Sequence, residues 1–202
     1  MFPFLLMLLL IPTPSATPAS SPYAAAFEDA RSETTNPLQL EILADDVITA
    51  DEYEASIQAF VSCMNEAGYD VHPEQDMLMP ALYQMVWTYP ETTPGVEVPQ
   101  SVWTAYDTQF DDCYMEWSMQ VAALYSATTY FPNDEDVFDA NLACLHADKL
   151  VPESFDRAAL EHAAMTGDWG PGVNPGTMEL SLCLVNPFKI GIEVTATPTI
   201  NP

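Results

Sequence analysis

Residues 44–54, ADDVITADEYE, carry acids at the spacing of the second half of a calcium-binding EF-hand loop. In that register Asp45 takes the fifth position, Ile48 the eighth and Glu52 the twelfth. The first and third positions then fall on Glu41 and Leu43, and Asp46 stands where the loop needs Gly. Calcium takes roughly six to eight oxygen ligands and a leucine side chain supplies none, so half the cage is missing. Thr49 and Glu52 fit an S/T-x-x-E capping box instead. The Thr49 hydroxyl would accept from the Glu52 backbone N–H, and the Glu52 carboxylate from the Thr49 N–H. The expected role of the stretch is helix initiation, not metal chemistry.

The remaining chemistry-bearing residues are sparse. Cys63, Cys113, Cys144 and Cys183 form no C-x-x-C pair, which argues against a zinc site or a thioredoxin-like motif and for disulfides in an exported chain. His72, His146 and His162 are far apart, and none has the i, i+4 partner of a zinc-binding helix. G-x-S-x-G, H-E-x-x-H and S-x-x-K are all absent from the sequence, so no nucleophile or catalytic metal is indicated and no cofactor is expected. Acidic pairs abound, yet among 30 Asp and Glu some must fall at glycosidase spacing by chance.

The charge balance narrows the partners. Thirty acids face only Arg31, Lys149, Arg157 and Lys189, for a formal net charge of −26. Such a chain repels nucleic acid and anionic membrane surfaces, because it has no cationic patch to displace counterions from phosphates. Weak, unspecific divalent-cation binding by acids such as Asp111, Asp112, Asp134, Glu135 and Asp136 is the one ionic interaction the composition favours. With 49% apolar residues, the chain can still bury a core.

The elements that must position these residues follow from pattern. MFPFLLMLLLI at the start is too short to span a bilayer and reads as the apolar region of a secretory signal peptide over residues 1–20. Small residues at Thr17 and Ala19, or at Ala24 and Ala26, suit cleavage. No Lys or Arg precedes the run, and no Cys near residues 15–25 offers a lipid-attachment site. Residues 21–36 read as a flexible leader. Asn36-Pro37 caps a short helix, and Thr49 starts a longer one to about Ala67, with Tyr53, Ile57, Phe60 and Met64 on one face and Gly68 as its stop. Alternation in ALYQMVWTYP predicts a strand whose Tyr83, Trp87 and Tyr89 face is the candidate contact surface. A helix from 100 to about 127 places Trp103, Tyr106, Phe110, Cys113, Trp117, Val121 and Leu124 on one stripe, read as core. Three shorter helices follow, and residues 189–202 form a tail. The expected fold is one mainly α domain over 37–188, with a small β element and disulfide staples.

An internal similarity bears on the pairing. AFVSCMNEAGYDVHPE and ANLACLHADKLVPE both place Cys on a helix four residues after Ala, with an apolar residue next and Pro-Glu shortly beyond. Each is followed by another Cys-bearing helix. Four cysteines allow three pairings. Two repeated, separately stapled units favour Cys63 with Cys113 and Cys144 with Cys183. Each bridge would close a loop of about 40 to 50 residues and stabilise by about 4 kcal/mol in the chain-entropy account.

ILADDVITADEYE, the helix ending CMNEAGY and the later FDDC together resemble a group of exported actinobacterial proteins of unknown function, many of them lipoproteins. Their pattern runs ILADG-x-(V/I)-T-x-(A)-EYE, then C-(M/L)-x-x-AG-(Y/F), then Y/F-x-x-C. The resemblance covers residues 38–185 and departs at Asp46, where those proteins carry Gly. It implies export and brings no activity to carry over. The leading expectation is a non-enzymatic secreted or cell-envelope domain that binds an unidentified protein or envelope component. The alternatives are a carboxylate-dependent hydrolase of envelope polymers and an acidic calcium-responsive module.

Overall fold

Starting from Asn36, the chain folds as its capping residues dictate. The computed structural model describes residues 21–88 and 98–192. The expected signal segment, Tyr89 with the loop after it, and the end of the tail lie outside those residues. Eight helices and one two-stranded sheet are described: α1 (Ala24–Glu33), α2 (Pro37–Ile42), α3 (Ala50–Glu66), β1 (Asp70–Gln75), β2 (Tyr83–Thr88), α4 (Gln100–Trp117), α5 (Met119–Tyr130), α6 (Val137–Ala147), α7 (Arg157–Thr166) and α8 (Met178–Val185). The fold is a mainly α, disulfide-stapled domain with a small β element. No helix among the described residues is long and apolar enough to cross a membrane.

Local signals start and stop most of these helices. The Asn36 side chain accepts from the amides of Leu38 and Gln39 at the start of α2. Thr49 and Glu52 form the full capping box of α3. Asp136, Asp156 and Thr177 cap α6, α7 and α8 in the same way, which satisfies amides that a helix start leaves without intrahelical partners. At the end of α3, Gly68 has φ +94°, its N–H donates to the Asn65 carbonyl and the Tyr69 N–H to that of Met64. That is the Schellman arrangement, and it turns the chain out of the helix into β1.

Three expectations are corrected. The leader is not flexible over its described length: Ala24–Glu33 is a helix, with Phe27 and Ala30 buried in the main core. Its anchor is Tyr23, whose hydroxyl donates to the Phe131 carbonyl at 2.6 Å. Arg31 adds a bond to the Asp46 carboxylate. Cleavage after Ala26 would therefore remove Tyr23 from a packed helix. The single helix over 100–127 is two helices broken at Ser118. The apolar rhythm runs through the break because the cause is tertiary. The fully buried Gln39 side chain donates to the carbonyls of Met115 and Glu116 and accepts from the Gln120 N–H, satisfying the backbone groups the break exposes. Third, the domain does not end at 188. Residues 189 and 190 are tied down, Lys189 by both oxygens of Asp148 and Ile190 by the Asn186 side-chain amide, which donates to its carbonyl and accepts from its N–H.

The strand expected at 82–89 is β2, and its partner β1, DVHPEQ, went unread because only Val71 in it is buried. The two pair antiparallel with Val71 opposite Trp87 and Pro73 opposite Met85. Pro73 is tolerated because a two-stranded sheet consists of edges.

The core divides into two clusters. The larger joins α1 to α5 with the hairpin, around Phe27, Leu43, Phe60, Met64 and Val121. The smaller joins α6, α7 and α8 around Leu145, Leu160, Leu180 and Cys183. Cys63–Cys113 staples α3 to α4, and Cys144–Cys183 staples α6 to α8, so each cluster has its own bridge, the pairing the repeat favours. Such bonds suggest an oxidising, extracytoplasmic environment. The clusters meet where the buried Asn186 donates to the Leu78 carbonyl and Phe131 packs edge-on to Phe188.

Candidate ligand cleft

The first bridge frames a cleft in the main core. α3 presents Tyr53, Ile57 and Phe60 at helical spacing, and Cys63 one turn later is fixed to Cys113 of α4. That staple sets Phe110 and Tyr114 of α4 opposite the α3 face, with Phe60 edge-on to both rings. The break at Ser118, held to Ser56 by a 3.2 Å hydroxyl contact, turns α5 back along the same side. There α5 offers small residues, Ala122, Ala123 and Ser126, where bulky ones would close the space. The hairpin completes the wall with Leu82, Tyr83 and Met85. The result is a cleft of about 510 Å³ that opens at the exposed Ala123.

Its chemistry is uniform. Among the described residues no charged side chain lines it, in a chain of net charge −26. The polar groups are the hydroxyls of Tyr53, Tyr83, Tyr114 and Ser126. The Tyr53 ring is buried and stacks on Tyr125 and Tyr83. Its hydroxyl accepts from the Tyr83 N–H at 3.2 Å. Burial pushes the Tyr53 phenol up to about 12, and burial raises Tyr114 as well, so both stay protonated at any physiological pH. Among the described residues the hydroxyls of Tyr83, Tyr114 and Ser126 have no hydrogen-bond partner. The volume, the apolar lining and the few convergent polar groups are those of a small-molecule site.

The candidate contact face splits. Tyr83 lines the cleft, and Trp87 is half-buried, stacked on Tyr106 with centroids 3.9 Å apart and edge-on to Tyr69 and Trp103. Tyr89 lies outside the described residues. Nothing in sequence separated the Tyr53, Ile57 and Phe60 stripe from ordinary core. The available signal was the run of small residues on α5 facing it.

Three of the five acids of residues 44–54 are spent on structure. Asp45 accepts from the Val47 N–H, Asp46 binds Arg31, and Glu52 closes the capping box. Asp46 itself has φ +62°, a left-handed backbone conformation that glycine adopts more readily. Asp136 caps α6 and holds Arg157 together with Asp139 and Glu161. The Arg157 guanidinium holds the Asp136 carboxyl below the usual range, and the Asn133 side chain does the same for Glu135. His146 bonds the Phe155 carbonyl at 2.8 Å, His72 lies beside Glu74, and the exposed His162 borders a shallower cleft of about 300 Å³ with Asp168 and Trp169. Cys144, Asp148 and Cys183 are the one convergent set of metal-type side chains among the described residues, and its two sulfurs are bonded to each other.

Comparison with protein-family models, with curated proteins and with solved structures finds no match.

Proposed function

We propose that this protein is a non-enzymatic binding domain of the cell exterior or envelope, and that its ligand sits in the cleft between α3, α4, α5 and β2. One observation carries the reading: an opening of about 510 Å³ whose described walls are apolar and aromatic, with hydroxyls as the polar side-chain groups and no charge among the described residues. A core residue set selected for stability alone would fill such a space, since voids forfeit dispersion contacts. Hydrolysis through paired carboxylates would need acids at the opening, and no acid among the described residues lines it. The apolar stretch of residues 1–11 and the two bridges support export, and a net charge of −26 disfavours anionic lipid and nucleic acid as partners.

The test is uptake of the neutral probe N-phenyl-1-naphthylamine, whose fluorescence rises in apolar surroundings. Saturable enhancement is expected for the full chain. It should fall by about tenfold or more in affinity for Ala123→Trp, because a wrong side chain at an exposed rim blocks entry without disturbing the core, and tenfold corresponds to about 1.4 kcal/mol. No saturable uptake, or uptake unaffected by Ala123→Trp, would remove the cleft as the seat.

A further inference from the structure

We infer that the cleft takes an uncharged, mainly apolar molecule bearing a carbonyl oxygen, which accepts hydrogen bonds from the Tyr83 and Tyr114 hydroxyls. The inference rests on reading the cleft as a ligand seat and specifies what fills it.

Three observations converge. First, the lining excludes charge on the occupant. An anion entering would be desolvated with no cation to meet it, because Arg31, Arg157 and Lys189 are each paired with acids elsewhere and Lys149 stands at the end of α6. The field of a chain of net charge −26 adds to that cost. A cation would find no carboxylate in the lining. It would also find ring faces already in use, since Tyr53 stacks on Tyr125 and Tyr83, and Phe110 along Tyr114.

Second, the hydroxyls offer donors rather than acceptors. A phenol oxygen shares its lone pairs with the ring, so it donates better than it accepts. Tyr53 already uses its oxygen to accept from the Tyr83 N–H, which leaves its proton unspent, and the Tyr83 and Tyr114 hydroxyls bond nothing among the described residues. An occupant that fills the cleft would shut these part-buried donors off from water, which is costly without an acceptor, and a carbonyl oxygen on it would remove that cost.

Third, the rest of the wall is aliphatic and adaptable: Ile57, Leu82 and Met85, with Ala122 and Ala123 leaving room. Methionine adjusts to irregular apolar shapes. An acyl or similar chain joined to a carbonyl therefore matches both parts of the lining.

The experiment is displacement of bound N-phenyl-1-naphthylamine from the full chain by four molecules of similar length: methyl octanoate, nonane, octanoate and octyltrimethylammonium. Methyl octanoate is expected to displace best. Nonane, with no acceptor, should be weaker by about fivefold or more, the worth of one to two hydrogen bonds, and octanoate by about tenfold or more. Tyr83→Phe and Tyr114→Phe remove only hydroxyls that bond nothing in the fold, so melting should not change. Together they should weaken methyl octanoate by about tenfold while leaving nonane where it was. Equal displacement by nonane and the ester, tighter displacement by octyltrimethylammonium or octanoate, or ester affinity unchanged in the double variant would overturn the inference while leaving the cleft a seat. Better displacement by the amide of Leu-Leu-Phe would assign the cleft to a protein partner and overturn it too. Absence of any dye uptake would overturn the seat itself, and this inference with it.

Discussion

The two stapled units share a frame and differ in what they build on it. In each, a helix carries Cys, and the chain leaves that helix five residues later through a positive φ, at Gly68 (+94°) and at Lys149 (+57°). The bonds at both exits match: Tyr69 N–H to the Met64 carbonyl in one, Leu150 N–H to the Leu145 carbonyl in the other. Two residues after Cys, a side chain pins the segment beyond, Asn65 on Val71 and His146 on Phe155. The difference lies three residues before Cys. There the first unit has Phe60, wedged against Phe110 and Tyr114 at the cleft. The second has Asn141, buried, with an Oδ1 that bonds nothing among the described residues. The bridge and the helix stop are thus a common scaffold, and the turn of helix before the Cys decides whether an aromatic opening forms beside it.

Mutations can break that comparison. Phe60→Ala should cost about 4 kcal/mol, from a lost aromatic core side chain and the space left behind. Chemical denaturation would register it, and a loss under 1.5 kcal/mol, on the scale of mild repacking, would show that Phe60 is not structurally central.

The next largest effect separates the units by pH. Burial raises the phenols of Tyr23, Tyr53, Tyr114, Tyr125 and Tyr130, all in the first unit or α5, and α6 to α8 contain no tyrosine. A group whose folded pKa is raised stabilises fully below its unfolded value and loses that contribution as pH rises through the folded one. The first unit should therefore loosen between about pH 10, the unfolded tyrosine value, and about 12 for Tyr53. Asp136 is shifted the other way by Arg157, so its contribution is present above the unfolded carboxyl pKa and is lost as pH falls through the lower folded value. Hydrogen exchange should show α3 to α5 opening first in alkali and the start of α6 first in acid. Simultaneous opening of both units at the alkaline end would contradict the division.

Two smaller changes sharpen the same contrast. Asn141→Leu should stabilise by about 1 kcal/mol, because it removes a buried acceptor without a partner. Thermal melting that falls instead would mean that the Asn side chain contributes packing no Leu can supply. Lys149→Gly should gain up to about 1 kcal/mol by relieving a left-handed non-glycine residue, read as a rise in denaturation midpoint. Gly68→Lys should shift it in the opposite direction.

Much of this frame could be read before the structure. Helix starts carry their own chemistry, so Asn36 and Thr49 mark them locally, and Gly68 marks a stop. The pairing of cysteines followed from the repeat. The misses share a cause, which is information supplied from far along the chain. Residues 24–33 are mostly Ala and charged side chains and form α1 because Phe27 and Tyr23 find partners on α5. The break at Ser118 is made by Gln39, and β1 exists because β2 needs a partner. The cleft was hidden for a related reason. Tyr53, Ile57 and Phe60 have the period of any core face, and only the placement of Ala122, Ala123 and Ser126 opposite them leaves space.

The central claim, that ligand binding belongs to the first unit, is tested most directly by backbone and methyl chemical shifts recorded while the neutral naphthylamine probe is titrated into the intact protein. The structure predicts that shifts concentrate on Ile57, Leu82, Met85 and Ala122, saturate together, and leave the surroundings of Trp169 in the second unit unmoved. Shifts centred on Phe155 and Trp169, or spread evenly over both units without saturation, would contradict it.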